Sequence, residues 1–212
     1  MSGPTIKICG ISTPATLDAA IAARADHVGL TFVAASPRYL APSDAAGIAA
    51  RAAGRIGKVG LFVDATDSMI AEAVGAAQLD ALQLHGSETP QRAAELRARF
   101  GVPVWKVIAV ASAADIARAD AYAGAADLIL FDAKTPKGAL PGGMGLVFDW
   151  SLLGAYRGEL PWGLAGGLSI DNVAEAVRVT GAPLVDTSSG VESAPGVKDV
   201  DKIAAFCKAA RP

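Results

Sequence analysis

The sequence predicts an α/β fold, a single (β/α)8 TIM barrel, and three observations carry that expectation. Eight short β-rich runs alternate with longer stretches of helical period from end to end, which is the pattern of parallel strands joined by crossover helices. The helical stretches open on N-cap residues and several close on glycine. The 212 residues divide into eight units of ~26, a spacing that suits a closed barrel better than an open doubly wound sheet.

Strands are expected at Thr5 to Cys9, His27 to Phe32, Ile56 to Val63, Ala81 to His85, Val104 to Ala109, Leu128 to Asp132, Trp162 to Ala165 and Leu184 to Thr187. Helix starts are expected at Thr13 and Thr89, each followed by proline, and at Ser43, Asp67, Ser112 with Asp115 three residues on, Asp149, Ser169 and about Asp199. Gly54, Gly101 and Gly181 stand where left-handed helix caps are wanted. One connection is longer than the rest: from Ala133 to Phe148 the chain is rich in glycine and proline, as a functional loop after strand six would be. No linker or low-complexity tract divides the chain, so one domain over residues 1–212 is expected.

Hydrophobic residues make up 52% and charged residues 19% of the chain, enough apolar material for a large core. The net charge of -2 is spread without a basic stripe, which argues against a nucleic-acid partner. No stretch reaches the ~18 unbroken apolar residues of a membrane span, and the first residues do not read as a signal peptide, so a cytoplasmic protein without membrane contact is expected. A monomer is expected too, since no long exposed apolar stripe calls for a partner. The two cysteines, Cys9 and Cys207, suggest neither a disulfide framework nor a zinc site, and Cys207 falls on a helical stripe with Val200, Ile203 and Ala204 that reads as core.

In such a barrel the reacting groups lie at the C-terminal ends of the strands. Cys9 ends strand one before Gly10; a thiol there, near cationic groups, is expected to have a lowered pKa and to serve as base or nucleophile. Asp132 is the only charge in LILFD and closes that strand, with no helix start for some distance beyond it. Apolar surroundings favour a protonated carboxyl, hence a general acid. Gly166 and Gly167 follow strand seven, and Ser189 and Gly190 follow strand eight; backbone N–H groups in these two loops suit a phosphate. Arg38, braced by Pro37 and Tyr39, and His85, before Gly86, are candidate ligand contacts. Lys7, Gln83 and Lys106 are assigned to the barrel lumen by alternation. Because strands one and eight must adjoin, Lys7 is expected to face Asp186 beneath the Cys9 thiol.

These residues sit in the runs KICGI, SPRY, GLFVD, LQLHG, FDAKTP, GGMGLVFDW, AGGLSIDNV and DTSSGVESAPGVKD. In their order and spacing the chain resembles the phosphoribosylanthranilate isomerases of tryptophan biosynthesis along nearly its whole length. The resemblance implies an Amadori rearrangement of N-(5'-phosphoribosyl)anthranilate by general acid and base, without cofactor or metal. Cys9 matches the family's base and Asp132 its acid. Arg38, His85 and Asp186 match positions lining its ligand site, and the glycine and serine amides match its phosphate cradle. Met144 stands where a small hydroxyl or amide residue is commoner, and Ala133 where threonine is frequent. The rival readings are another sugar-phosphate isomerase or epimerase on the same barrel, and a non-catalytic sensor of a phosphate ligand.

Overall fold

The computed structural model describes residues 3–135 and 142–211. Eight parallel strands close into a barrel in chain order: β1 (Thr5–Cys9), β2 (His27–Thr31), β3 (Gly57–Phe62), β4 (Ala81–Leu84), β5 (Val104–Val110), β6 (Leu128–Ala133), β7 (Trp162–Leu164) and β8 (Leu184–Thr187). Closure is made by β1, which pairs with β2 on one side and β8 on the other. This is the (β/α)8 TIM barrel that the alternation predicts. Helices α1 (Pro14–Ala22), α2 (Pro42–Ala52), α3 (Asp67–Ala77), α4 (Pro90–Phe100), α5 (Ala113–Ala117), α6 (Val173–Thr180) and α7 (Val200–Ala210) lie in the connections. After β8 comes a 3-10 turn (Ser189–Val191) and an antiparallel hairpin of β9 (Glu192–Ala194) and β10 (Val197–Lys198). No helix among the described residues is long and apolar enough to cross a membrane.

The side chains sort by strand alternation. Ile6, Ile8, Val28, Leu82, Ile129 and Phe131 point outward into the large core beneath the helices. Val59, Trp105, Val107, Leu130 and Leu184 form a second cluster inside the barrel. A packed lumen supports the polar rim above it and leaves no open pore.

Several helix starts match the expected caps. Thr13 and Thr89 accept from the backbone N–H groups of Thr16 and Arg92, each ahead of a first-turn proline. Asp115 accepts from the Ser112 N–H and hydroxyl, and Asp199 from the N–H groups of Asp201 and Lys202. Four expectations are corrected. The second helix starts at Pro42 with Ala41 at its cap, so Ser43 lies inside the first turn. Thr66, not Asp67, caps α3. Asp149 caps a 3-10 helix, Trp150–Ala155, rather than an α-helix. The Ser169 N–H donates to Asn172 Oδ1 across a turn, and α6 begins only at Val173. Gly101 and Gly181 take the left-handed caps, but after α2 that conformation starts one residue early, at Ala53.

Lys106 is also corrected. Trp105 occupies the lumen, edge-on to His27 with ring centroids 5.1 Å apart, so Lys106 faces the other way. There its Nζ donates to the Gly86 carbonyl at 2.6 Å and to Glu88 at 2.9 Å. Glu88 in turn accepts from the N–H groups of Asp64 and Gly86. The misplaced lysine therefore stiffens the loop that follows His85.

Candidate active site

The C-terminal ends of the strands surround a cavity of about 280 Å³. Cys9, Arg38, His85, Asp132, Gly166, Gly167, Asp186 and Ser189 all line it, together with Thr31, Gln83 and Met144. Gly190 is one step behind Ser189. Of the long loop after β6, residues 136–141 lie outside the described residues, while Gly142, Gly143 and Met144 form part of the cavity wall.

Cys9 is 5% exposed and owes its place to the neighbouring strand. Gly29 pairs with it in the barrel register, and a Cβ on Gly29 would stand 2.7 Å from the sulfur. Only glycine leaves the thiol room to face inward. Directly below, Lys7 is fully buried and donates to Asp186 Oδ2 at 2.8 Å, the two residues being register partners across the β1 and β8 seam. Burial pulls the Lys7 ammonium down, but the Asp186 carboxylate and the Cys9 sulfur outweigh it and hold its pKa above the ordinary value.

The thiol does not follow the sequence expectation. Burial pushes its pKa above the usual cysteine value; Lys7 draws it down, Asp186 pushes it further up, and Lys198 draws it down again. Burial wins, and the predicted lowering is corrected. Only the thiolate reacts with an alkylating agent, so labelling of Cys9 should keep rising as pH passes the range of a free thiol. Lys7→Met removes the nearer attraction and should move that rise to still higher pH. Mass spectrometry of the Cys9 peptide over a pH series checks this, and an unchanged profile contradicts it. The substitution also strands the Asp186 carboxylate, a loss of about 3–5 kcal/mol, so Lys7→Met with Asp186→Asn serves as the companion variant. The other cysteine, Cys207, is core on α7, its thiol pushed up to about 11 by burial.

Across the cavity, Asp132 Oδ1 accepts from its own neighbour, the Ala133 N–H, at 2.7 Å, while Oδ2 lies 3.2 Å from His85 Nε2. The far side of the imidazole is held by a 3.4 Å contact between Nδ1 and the Gln83 amide. One carboxyl oxygen is thus fixed by backbone, and the other shares its position with a ring nitrogen at the cavity wall.

The third side is made of backbone. Gly166 and Gly167 have φ of 84° and 63°, a left-handed pair that turns successive amides toward one side. Gly190 packs so closely under the Leu168 carbonyl that a Cβ would overlap it. Among the described residues, nothing accepts from the backbone N–H groups of Gly166, Gly167, Ser189 or Gly190. Backbone amides without a protein acceptor, on two loops at one side of the cavity, have the chemistry that suits an anion.

Arg38 reaches the mouth of the cavity from the loop after β2. Its Nε and Nη2 donate to the two oxygens of Glu192, both at 2.7 Å. The same carboxylate accepts from Lys198, whose Nζ also donates to the Ser188 carbonyl at 3.0 Å. Ser188 closes the circle by donating its hydroxyl to the Cys9 carbonyl at 3.1 Å. Burial tends to raise Glu192, but the hydrogen bonds from Arg38 and Lys198 prevail and hold it below the usual carboxylate range. The sequence reading missed Glu192 and Lys198. The available signal was a pair of opposite charges flanking SAPGV just after the last strand.

A family model described as N-(5'phosphoribosyl)anthranilate (PRA) isomerase matches residues 6–209. The chain belongs to the N-(5'-phosphoribosyl)anthranilate isomerase family. It is 54% identical to the N-(5'-phosphoribosyl)anthranilate isomerase of Paramagnetospirillum magneticum over 207 residues, covering 97% of this chain and 96% of that one. With the enzyme of that name from Cereibacter sphaeroides it shares 52% identity over 212 residues, the whole of both chains. Among solved structures, phosphoribosyl anthranilate isomerase from Thermotoga maritima superposes with a TM-score of 0.86 at 36% identity, over 98% of each chain. Another isomerase structure, 34% identical with a TM-score of 0.83 over 98% of each chain, holds reduced 1-(o-carboxyphenylamino)-1-deoxyribulose 5-phosphate. Every cavity residue named above falls inside the span of the family match.

Proposed function

We propose that this isomerase converts N-(5'-phosphoribosyl)anthranilate to 1-(2-carboxyphenylamino)-1-deoxy-D-ribulose 5-phosphate in tryptophan biosynthesis, with Asp132 as acid and Cys9 as base. The observation that carries the assignment of roles is the placement of a carboxyl and a thiol on the same cavity, beside backbone amides of two loops that have no backbone acceptor among the described residues.

The amides of Gly166, Gly167, Ser189 and Gly190 take the phosphate and fix one end of the sugar. Asp132 gives its proton to the furanose oxygen; the C1' to oxygen bond breaks as the anilino nitrogen supplies its electron pair, leaving a Schiff base. The Cys9 thiolate then removes the C2' proton, and those electrons form the enolamine. Loss of the enol proton and gain of one at C1' give the ketone, so the reaction is an isomerisation with no net change of atoms. A thiol raised by burial is seldom ionised, but its thiolate is the stronger base when formed. Arg38, His85 and Asp186 contact the substrate around this axis, with Arg38 on the anthranilate carboxylate.

Among the described residues no three His, Cys, Asp or Glu side chains converge as metal ligands, and the proposed steps need none. We read the protein as a cytoplasmic monomer; of its exposed apolar side chains, Met69 and Val179 stand apart on α3 and α6, while Met144, Leu146 and Val147 lie together in the loop after β6 beside the cavity. Carbon NMR of the incubated substrate tests the reaction: the hydroxyl-bearing C2' should become a carbonyl, and a spectrum unchanged after long incubation contradicts it.

A further inference from the structure

We infer that Glu192 is a positioning residue for substrate binding: it takes one whole edge of the Arg38 guanidinium, leaves Nη1 as the end without a protein acceptor among the described residues, and so determines where the anthranilate carboxylate lies. The inference rests on the reading of Arg38 as the carboxylate contact. Arginine presents its donors in a rigid planar fork, and here the Nε and Nη2 side of the fork is filled by Glu192. Nη2 also donates to the Gly143 carbonyl at 3.3 Å, and one side of Nη1 packs so closely on Gly143 that a Cβ there would overlap it, so Gly143 leaves this end of the fork in place as well. Among the described residues Nη1 donates to nothing, and Arg38 lines the cavity. Glu192 is itself anchored: Lys198 holds its carboxylate and the Lys202 ammonium donates to its carbonyl at 2.8 Å. It is buried, so the brace is not loosened by water.

Charge and positioning make opposite predictions for Glu192→Gln. Two cations and one carboxylate leave the cluster with a single net positive charge. Removing the carboxylate makes the site more positive, and attraction alone would then tighten an anionic ligand. If Glu192 acts by holding the fork, the same change weakens it. Calorimetry can read the difference with two ligands: the reduced product analogue carrying the aryl carboxylate, and its counterpart built from aniline, which lacks it. The expected result is a loss of about tenfold or more in affinity of Glu192→Gln for the carboxylate analogue, the scale of one oriented charge-assisted hydrogen bond. The aniline analogue should change by less than about twofold in the same variant. Glu192→Asp keeps the charge but shortens the arm, and should show the same selective loss to a smaller degree; it replaces the Gln variant if that one fails to fold. Tighter binding of the carboxylate analogue, or equal weakening of both ligands, overturns the inference. Arg38→Met separates the two claims: if it penalises both analogues equally, the reading of Arg38 fails, whereas a selective penalty in Arg38→Met without one in the Glu192 variants overturns the role of Glu192 alone.

Discussion

Asp132→Asn should lower kcat by about 100-fold or more while leaving the affinity for the reduced product analogue nearly unchanged, since general acid catalysis commonly supplies that factor. The asparagine side chain has the same shape, and its oxygen can still accept from the Ala133 N–H that holds Oδ1. Its amide has no acid proton to give the furanose oxygen, so ring opening is the step that suffers. His85, 3.2 Å from Oδ2, would still be able to contact an amide at that position, which keeps the wall of the cavity in place. Steady-state kinetics with calorimetry on the same preparation separates the outcomes. A loss confined to affinity, with kcat preserved, would make Asp132 a ligand contact and remove it as the acid.

Cys9→Ser is the second large effect. A hydroxyl ionises far less readily than a thiol, so proton removal from C2' should slow by about 100-fold or more. The fold should tolerate the change: the site beside Gly29 accepts a smaller atom, and Lys7 and Asp186 offer the hydroxyl polar neighbours. The pH readout for the base is alkylation of Cys9, since only the thiolate reacts and burial raises its pKa; turnover also needs the acid still protonated, so it does not rise with the thiolate alone. Wild-type turnover in the serine variant contradicts the assignment of the base.

Much of this site was legible because chain position and strand alternation act together. Cys9 ends β1 ahead of Gly10, Asp132 is the only charge of an otherwise apolar run near the end of β6, and a closed barrel brings such strand ends to one rim. The Lys7 and Asp186 pair followed from the same closure, because β1 and β8 must meet. Alternation failed at β5, where VWKVIAV is covered on both faces and gives no polar face to read. Trp105 took the lumen beside His27, and Lys106 found Glu88 in a loop that strand periodicity does not describe. The helix starts at Ser43 and Ser169 were misplaced because serine serves turns as readily as caps. Glu192 was missed for a different reason. Its partners Arg38 and Lys198 are joined to it only by the tertiary fold and a short hairpin after the last strand, so no local pattern marks the carboxylate as shared.

The most direct test of the account follows the fluorescence of phosphoribosylanthranilate, whose anthranilate group is the fluorophore, as it is consumed by the wild-type protein, Cys9→Ser and Asp132→Asn side by side. The account predicts a wild-type decay far faster than in protein-free buffer, with both variants slower than the wild type by about 100-fold or more although each still binds the product analogue. A folded wild-type protein that leaves the fluorescence at the buffer rate, or either variant matching the wild type, would contradict it.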